Sequence, residues 1–412
     1  MDTIDPAVYH KLYGLKKPRI GYLQRDFADY TLMILVTALV TGLSYGFDHI
    51  IAIAGFLLCA VTLAMFVVRH GVELTVPVIV KRPQDLLYMV AYKLQNLRPV
   101  YFITVGLLVL ENVAIAATPN LPHHVETMRT IAFALFYLHL GSITVFRTAS
   151  LVDHLRKRDH VREVLMQTPW KRTINAHTNI TREIVHAYCT GLLTHIVLVA
   201  PWYLVITYAN FSLVFLPFVC GINGLVHVTW AKAINSWFYR DHWVGHNSEL
   251  EFVLLHGPHH DAIPSGLIAV AGNGFLEGFM RFTIGSPVAF YSPFVAFFVY
   301  MFDVKSDIEL HQYIPGVYPY MARRVLEVGQ HSTHHYGKLE PYSFGLKLDQ
   351  PTIPESFKKT MKWAPDELMN SLRLDEELTG FQWDNPTHQN TLRLWDKYEK
   401  RPKAETPGGS LS

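Results

Sequence analysis

The chain has 412 residues and a formal net charge of +2; half of its residues are hydrophobic and only 17% are charged. A soluble enzyme carries about a quarter charged residues, so the balance favours an integral membrane protein, and near-neutral charge gives no reason to expect a nucleic-acid partner. Cys59, Cys189 and Cys220 lie far apart in apolar stretches and read as structural thiols rather than a disulfide or a ligand set.

Residues 1–30 are polar and basic, with Lys16, Lys17, Arg19 and Arg25, and form an expected cytoplasmic N-terminal segment without a secretory signal peptide. Apolar runs at 30–47 and 50–68 follow, each near the ~20 residues that cross a bilayer. Residues 69–98 read as an amphipathic surface segment. Further spans are expected at 99–117 and 130–146. A strongly basic loop, 147–187, separates them from spans at 188–208 and 211–234. Counting crossings puts the N-terminus, the 69–98 segment, that loop and the histidine box at 242–246 on one side, which the Lys/Arg excess marks as cytoplasmic. The apolar stretch 263–302 is broken at Gly272-Asn273-Gly274 and Gly285-Ser286-Pro287; its two ends must share one side, which predicts a helical hairpin. Residues 346–412 are expected to be a polar cytoplasmic tail. The predicted class is therefore all-α, a polytopic helical membrane protein. Its parts are an N-terminal transmembrane region (31–210), a catalytic region (211–345) and the two polar ends.

Histidine supplies the chemistry. Nine of the chain's 22 histidines lie between His242 and His335. They form three boxes: His242-Trp243-Val244-Gly245-His246, His256-Gly257-Pro258-His259-His260 and His331-Ser332-Thr333-His334-His335; His311 stands alone after Asp307-Ile308-Glu309-Leu310. Helical residues three and four apart share a face, so each box aims imidazoles in one direction, and several such faces make a nitrogen-rich pocket for a transition metal. Pro258 disfavours helix at Gly257 and suits the first turn of a helix carrying His259 and His260.

Nine ligands exceed the four of a structural zinc. They suit two octahedral or five-coordinate ions, and such a pair, if iron, could bind dioxygen. H-E-x-x-H is absent. The Glu-x-x-His pattern of carboxylate-bridged di-iron bundles occurs once, at Glu183–His186, too little for that class. The isolated histidines, including His123, His154, His195 and His227, read as ordinary hydrogen-bonded or solvent-facing side chains.

At these boxes the chain resembles the fatty acid hydroxylase/sterol desaturase superfamily of membrane di-iron oxygenases, over roughly residues 220–345. Phe238-Tyr239-Arg240-Asp241-His242 through His246 resembles that family's first box, and His256 through Gly266 its H-x2-H-H with a proline-containing turn. Glu309-Leu310-His311 resembles its isolated histidine, and His331 through Tyr336 its last box. The resemblance implies a helical membrane enzyme whose cytoplasmic histidine-rich cap holds two irons. It also implies O2-dependent hydroxylation or desaturation of a lipid-like substrate (fatty acyl, sterol or related). The expected ligands are His242, His246, His256, His259, His260, His311, His331, His334 and His335. Asp241, Asp261, Glu249 and Glu309 are carboxylates that could accept the outer N–H of a metal-bound imidazole. Gly272-Asn273-Gly274 lacks the third glycine of a dinucleotide fingerprint, and electrons are expected from an external donor: cytochrome b5, ferredoxin or a reductase.

Rival outcomes keep the irons and change the product, to deformylation or N-oxygenation. A rival of another class is a zinc or metal transporter or sensor, which predicts ionisable residues inside the spans. A soluble metal phosphohydrolase built on His259-His260-Asp261 is the remaining alternative, and the apolar spans oppose it.

Overall fold

A computed structural model describes residues 22–45, 49–70, 98–167, 180–247, 256, 275–279, 287–312, 314 and 316–320. Among these residues the protein is all-helical, with no strand. In chain order the helices are α1 (Tyr22–Ser44), α2 (His49–His70), α3 (Arg98–Ala117), α4 (Val125–Arg156), α5 (Arg158–Gln167), α6 (Ile180–Leu198), α7 (Ala200–Tyr208), α8 (Leu216–Asn247), the short α9 (Phe275–Gly278) and α10 (Pro293–His311). A 3-10 turn, Pro287–Phe290, precedes α10.

Among the described residues three helices are long and apolar enough to cross a membrane: Pro99–Ala117, Val125–Arg156 and Ile180–Tyr208. The other expected spans form shorter apolar stretches, Tyr30–Ser44, Ala52–Met65 and Leu216–Trp230. The helices that carry them, α1, α2 and α8, run for 23, 22 and 32 residues; the sequence of α1 includes Arg25, Asp26 and Asp29 near its start, and that of α8 Lys232, Arg240 and Asp241 in its second half. In Ile180–Tyr208, Val199 separates α6 from α7, and Pro201, two residues on, has no N–H to donate and cannot continue an undisturbed ladder.

Helix α4 shows why the elements pack as they do. Its buried residues are Met128, Ala132, Phe136, His139, Ile143, Arg147, Ser150 and His154. Steps of three and four keep one stripe inward from Met128 to His154, over about seven turns. The stripe carries the helix ten residues past Phe146, into what the sequence suggested was a basic loop, because Arg147, Ser150 and His154 continue its spacing. Segments 69–98 and 346–412 lie outside the described residues, apart from Arg69, His70 and Arg98 at helix ends.

The main core gathers Ala132 and Phe136 of α4, Trp202, Tyr203 and Ile206 of α7, Val226 of α8, Val288 of the turn, Tyr291 just after it, and Ala296 and Val299 of α10. A second cluster joins Ile143, Leu198, Val304 and Ile308. Phe279, just past α9, packs on this cluster and also on Met33, Leu193 and Val197, so the N-terminal hairpin α1–α2 reaches the same neighbourhood. The 3-10 turn leads into α10, which lies against α4, while residues 280–286 lie outside the described residues. Large apolar side chains face outward on most helices, among them Phe102, 77% exposed, and Phe298, 69% exposed. The thiols of Cys59, Cys189 and Cys220 are free and half-buried.

Candidate metal centre

The first box lies on α8, which holds both His242 and His246. Fourteen residues on, His256 of the second box returns to it. The Nε2 atoms of His242 and His256 are 2.9 Å apart, with ring centroids at 4.6 Å in an edge-to-face arrangement. Both rings are fully buried. The other nitrogen of His256, Nδ1, lies 2.7 Å from Oε1 of Glu277 on α9, itself buried. In the neutral ring Nδ1–H donates to that carboxylate, so Nε2 keeps its lone pair.

This donor set suits a transition metal. Two nitrogens at about 2.1 Å from one ion are roughly 3 Å apart when they subtend a right angle. A carboxylate on the outer nitrogen is the usual means of fixing the tautomer and orientation of a ligating imidazole. Among the described residues no three His, Cys, Asp or Glu side chains close around one point. His259, His260, His331, His334, His335, Glu249 and Asp261, and the side chains of His246 and Asp241, lie outside the described residues.

His311 is the last residue of α10. Its Nδ1–H donates to the Asp307 carbonyl at 2.6 Å, and Oδ1 of Asp307 lies 3.5 Å from the same nitrogen. Glu309, which the sequence suggested for such a role, is half-exposed and pairs with Lys305. The reason is helical geometry: residues two apart point about 200° away from each other, whereas residues four apart share a face.

A second buried imidazole pair lies elsewhere in the bundle. Nε2 of His139 on α4 is 2.9 Å from Nε2 of His195 on α6. Trp202 and Tyr300 pack on His139, each at 5.7 Å between ring centroids. Both outer nitrogens, Nδ1 of His139 and Nδ1 of His195, have no hydrogen-bond partner, unlike Nδ1 of His256. His123 does behave as an ordinary structural histidine: it is buried and bonded to Thr118 and Ser212.

Sequence reasoning missed Glu277, Asp307 and His139. Two of them left a signal. Glu277 is a lone carboxylate in the apolar stretch 263–302, and Asp307 precedes His311 by one helical turn. Nothing in the spacing of His139 marks it.

No family model matches the chain, and neither does any curated protein or solved structure.

Proposed function

We propose that the chain is an integral membrane enzyme that holds two irons and uses O2 to hydroxylate or desaturate a lipid-like substrate. The observation that carries this reading is the convergence of two box histidines, His242 and His256, at 2.9 Å in a buried site with Glu277 behind one of them. The boxes at 256–260 and 331–335 supply the remaining nitrogens in this reading, together with His246 and His311. Three membrane-length apolar helices and an apolar outer surface support placement in a bilayer, with the histidine-rich cap on the cytoplasmic side.

Bound iron would supply O2 activation and the breaking of an unactivated C–H bond. The chain's own residues hold the ligands in one tautomer, keep water out and orient the acyl or sterol carbon. For hydroxylation the balance is R–H + O2 + 2 e⁻ + 2 H⁺ giving R–OH + H2O, with the electrons from an external donor such as cytochrome b5, a ferredoxin or a reductase.

A second reading, a metal transporter or sensor, is favoured by one observation: His139 and His195 are buried within two candidate spans. Arg147 interacts electrostatically with His195, and a cation there repels a passing divalent ion, which weighs against transport.

The test is metal analysis of detergent-purified protein beside a His242→Ala/His256→Ala variant, followed by incubation of reduced protein with lipid extract and O2. Two irons per chain, lost in the variant, and an oxygenated or desaturated lipid are expected. Zinc alone, or metal that survives the substitutions, overturns the oxygenase reading.

A further inference from the structure

His154 lies in the last turn of α4, fully buried on the helix's inward stripe and outside the three boxes. Its Nδ1 is 2.7 Å from the carbonyl oxygen of Ser150, one turn back, and 3.3 Å from the Ser150 hydroxyl. A carbonyl only accepts, so Nδ1 carries the proton. A second proton on Nε2 would bury a charge with nothing to receive it, so Nε2 holds a lone pair. That atom is buried and has no hydrogen-bond partner, which costs about 1–3 kcal/mol. A metal ion is the partner that a neutral imidazole nitrogen of this kind takes. In His139 and His195, by contrast, the Nε2 atoms face each other.

His311 has the same construction: buried in the last turn of its helix, with Nδ1–H donating to the carbonyl four residues back, at 2.6 Å. The two helices run side by side in one direction. Phe136 of α4 shares a core with Ala296 and Val299 of α10, and Ile143, two turns on, shares one with Val304 and Ile308. His139 and Tyr300 lie level, their ring centroids 5.7 Å apart. His154 is fifteen residues beyond His139, and His311 eleven beyond Tyr300, so at about 1.5 Å per residue they differ in height by roughly 6 Å. That is within the reach of a two-ion site, whose ions stand about 3.5–4 Å apart with nitrogens about 2.1 Å beyond each. The chain leaving His311 also returns to the turn that holds His154. Ser150 Oγ and Gln312 Nε2 both donate to the carbonyl of Tyr318, at 3.0 and 3.1 Å, and the Tyr318 amide donates to Oδ2 of Asp153 at 2.8 Å.

We propose that His154 is a further ligand of the metal centre, beyond the eight box histidines and His311, and that it stands beside His311. The Ser150 carbonyl fixes its tautomer, so that Nε2 presents its lone pair to the metal. This gives α4, which lies outside the histidine-box region, a part in building the site. The inference rests on the di-iron reading above.

The experiment uses the full chain in detergent, loaded with iron, and compares wild type with His154→Ala and His154→Gln. Iron affinity is read by chelator competition, the iron environment by Mössbauer spectroscopy, and folding by chromatography and thermal unfolding. Both variants are expected to weaken iron binding by about 10-fold or more, since loss of an outer partner of a ligand already costs that much, and to alter one of two iron signals. Folded variants that bind iron within twofold of wild type, with an unchanged spectrum, overturn this ligand and leave the di-iron reading standing. A further measurement needs no variant: iron-loaded wild type is exposed to ascorbate and peroxide, and the oxidised histidines are mapped by mass spectrometry. Oxygen added to His154 and to box histidines, and none to the buried His123 before the other end of α4, is expected. Box histidines oxidised beside an intact His154 overturn the assignment. Wild-type protein that takes up no iron overturns the di-iron reading and this inference with it.

Discussion

His256 and Glu277, 21 residues apart, meet through a 2.7 Å contact between Nδ1 and Oε1 in a site almost closed to solvent. That contact leaves Nε2 of His256 facing Nε2 of His242 at 2.9 Å. The carboxylate therefore decides which nitrogen of His256 is available for chemistry.

Glu277→Gln keeps the size of the side chain and an oxygen that can accept Nδ1–H, but removes the charge. Iron affinity is expected to fall about 10- to 100-fold, with the thermal transition close to that of wild type. Chelator competition and thermal unfolding, run on the same preparation, check both. Unchanged affinity would mean that Glu277 does not act through His256.

The His139–His195 pair is expected to stabilise the bundle without holding iron. His139→Leu leaves the His195 Nε2 without its partner and should cost about 1–3 kcal/mol. Adding His195→Leu should cost little more, a coupling of about 0.5–3 kcal/mol. Denaturant unfolding in micelles measures the cycle, and iron content is expected to stay at the wild-type value. Iron lost from His139→Leu would join this pair to the metal chemistry.

Trp202 is fully buried where α4, α7 and α10 meet; its ring lies 5.1 Å from Phe136 and 5.2 Å from Tyr300, between centroids. Trp202→Ala empties the largest fully buried side chain and should cost about 3–5 kcal/mol. An unfolding midpoint within a degree of wild type would show that the core does not depend on it.

Opposite ends of α4 should label from opposite sides of a membrane. Asn120 lies in the turn before it and Arg158 just after it, both exposed. In a chain whose native cysteines are replaced by alanine, a probe that cannot cross membranes should reach Asn120→Cys only from outside the cell and Arg158→Cys only from the cytoplasm. Labelling of both from one side would contradict a membrane crossing by α4.

The amino-acid sequence by itself determined the helical class and the grouping of the histidines. Apolar runs near bilayer length leave helix as the economical way to satisfy the backbone, and the H-x3-H spacing already places His242 and His246 on one helical face. Helix lengths were less legible, because 130–146 reads as an apolar run while α4 continues to Arg156 on a stripe in which Arg147 and His154 take the place of apolar residues. What only the tertiary structure decided are the partnerships between elements. His256 with Glu277, and His139 with His195, are pairs whose members lie far apart in sequence and on different segments. Their polar groups meet because each is costly to bury alone, and which two meet depends on how the helices pack, which local spacing does not encode. The choice of Asp307 over Glu309 beside His311 is the intermediate case: the helical period contained it, and the structure of α10 makes it visible.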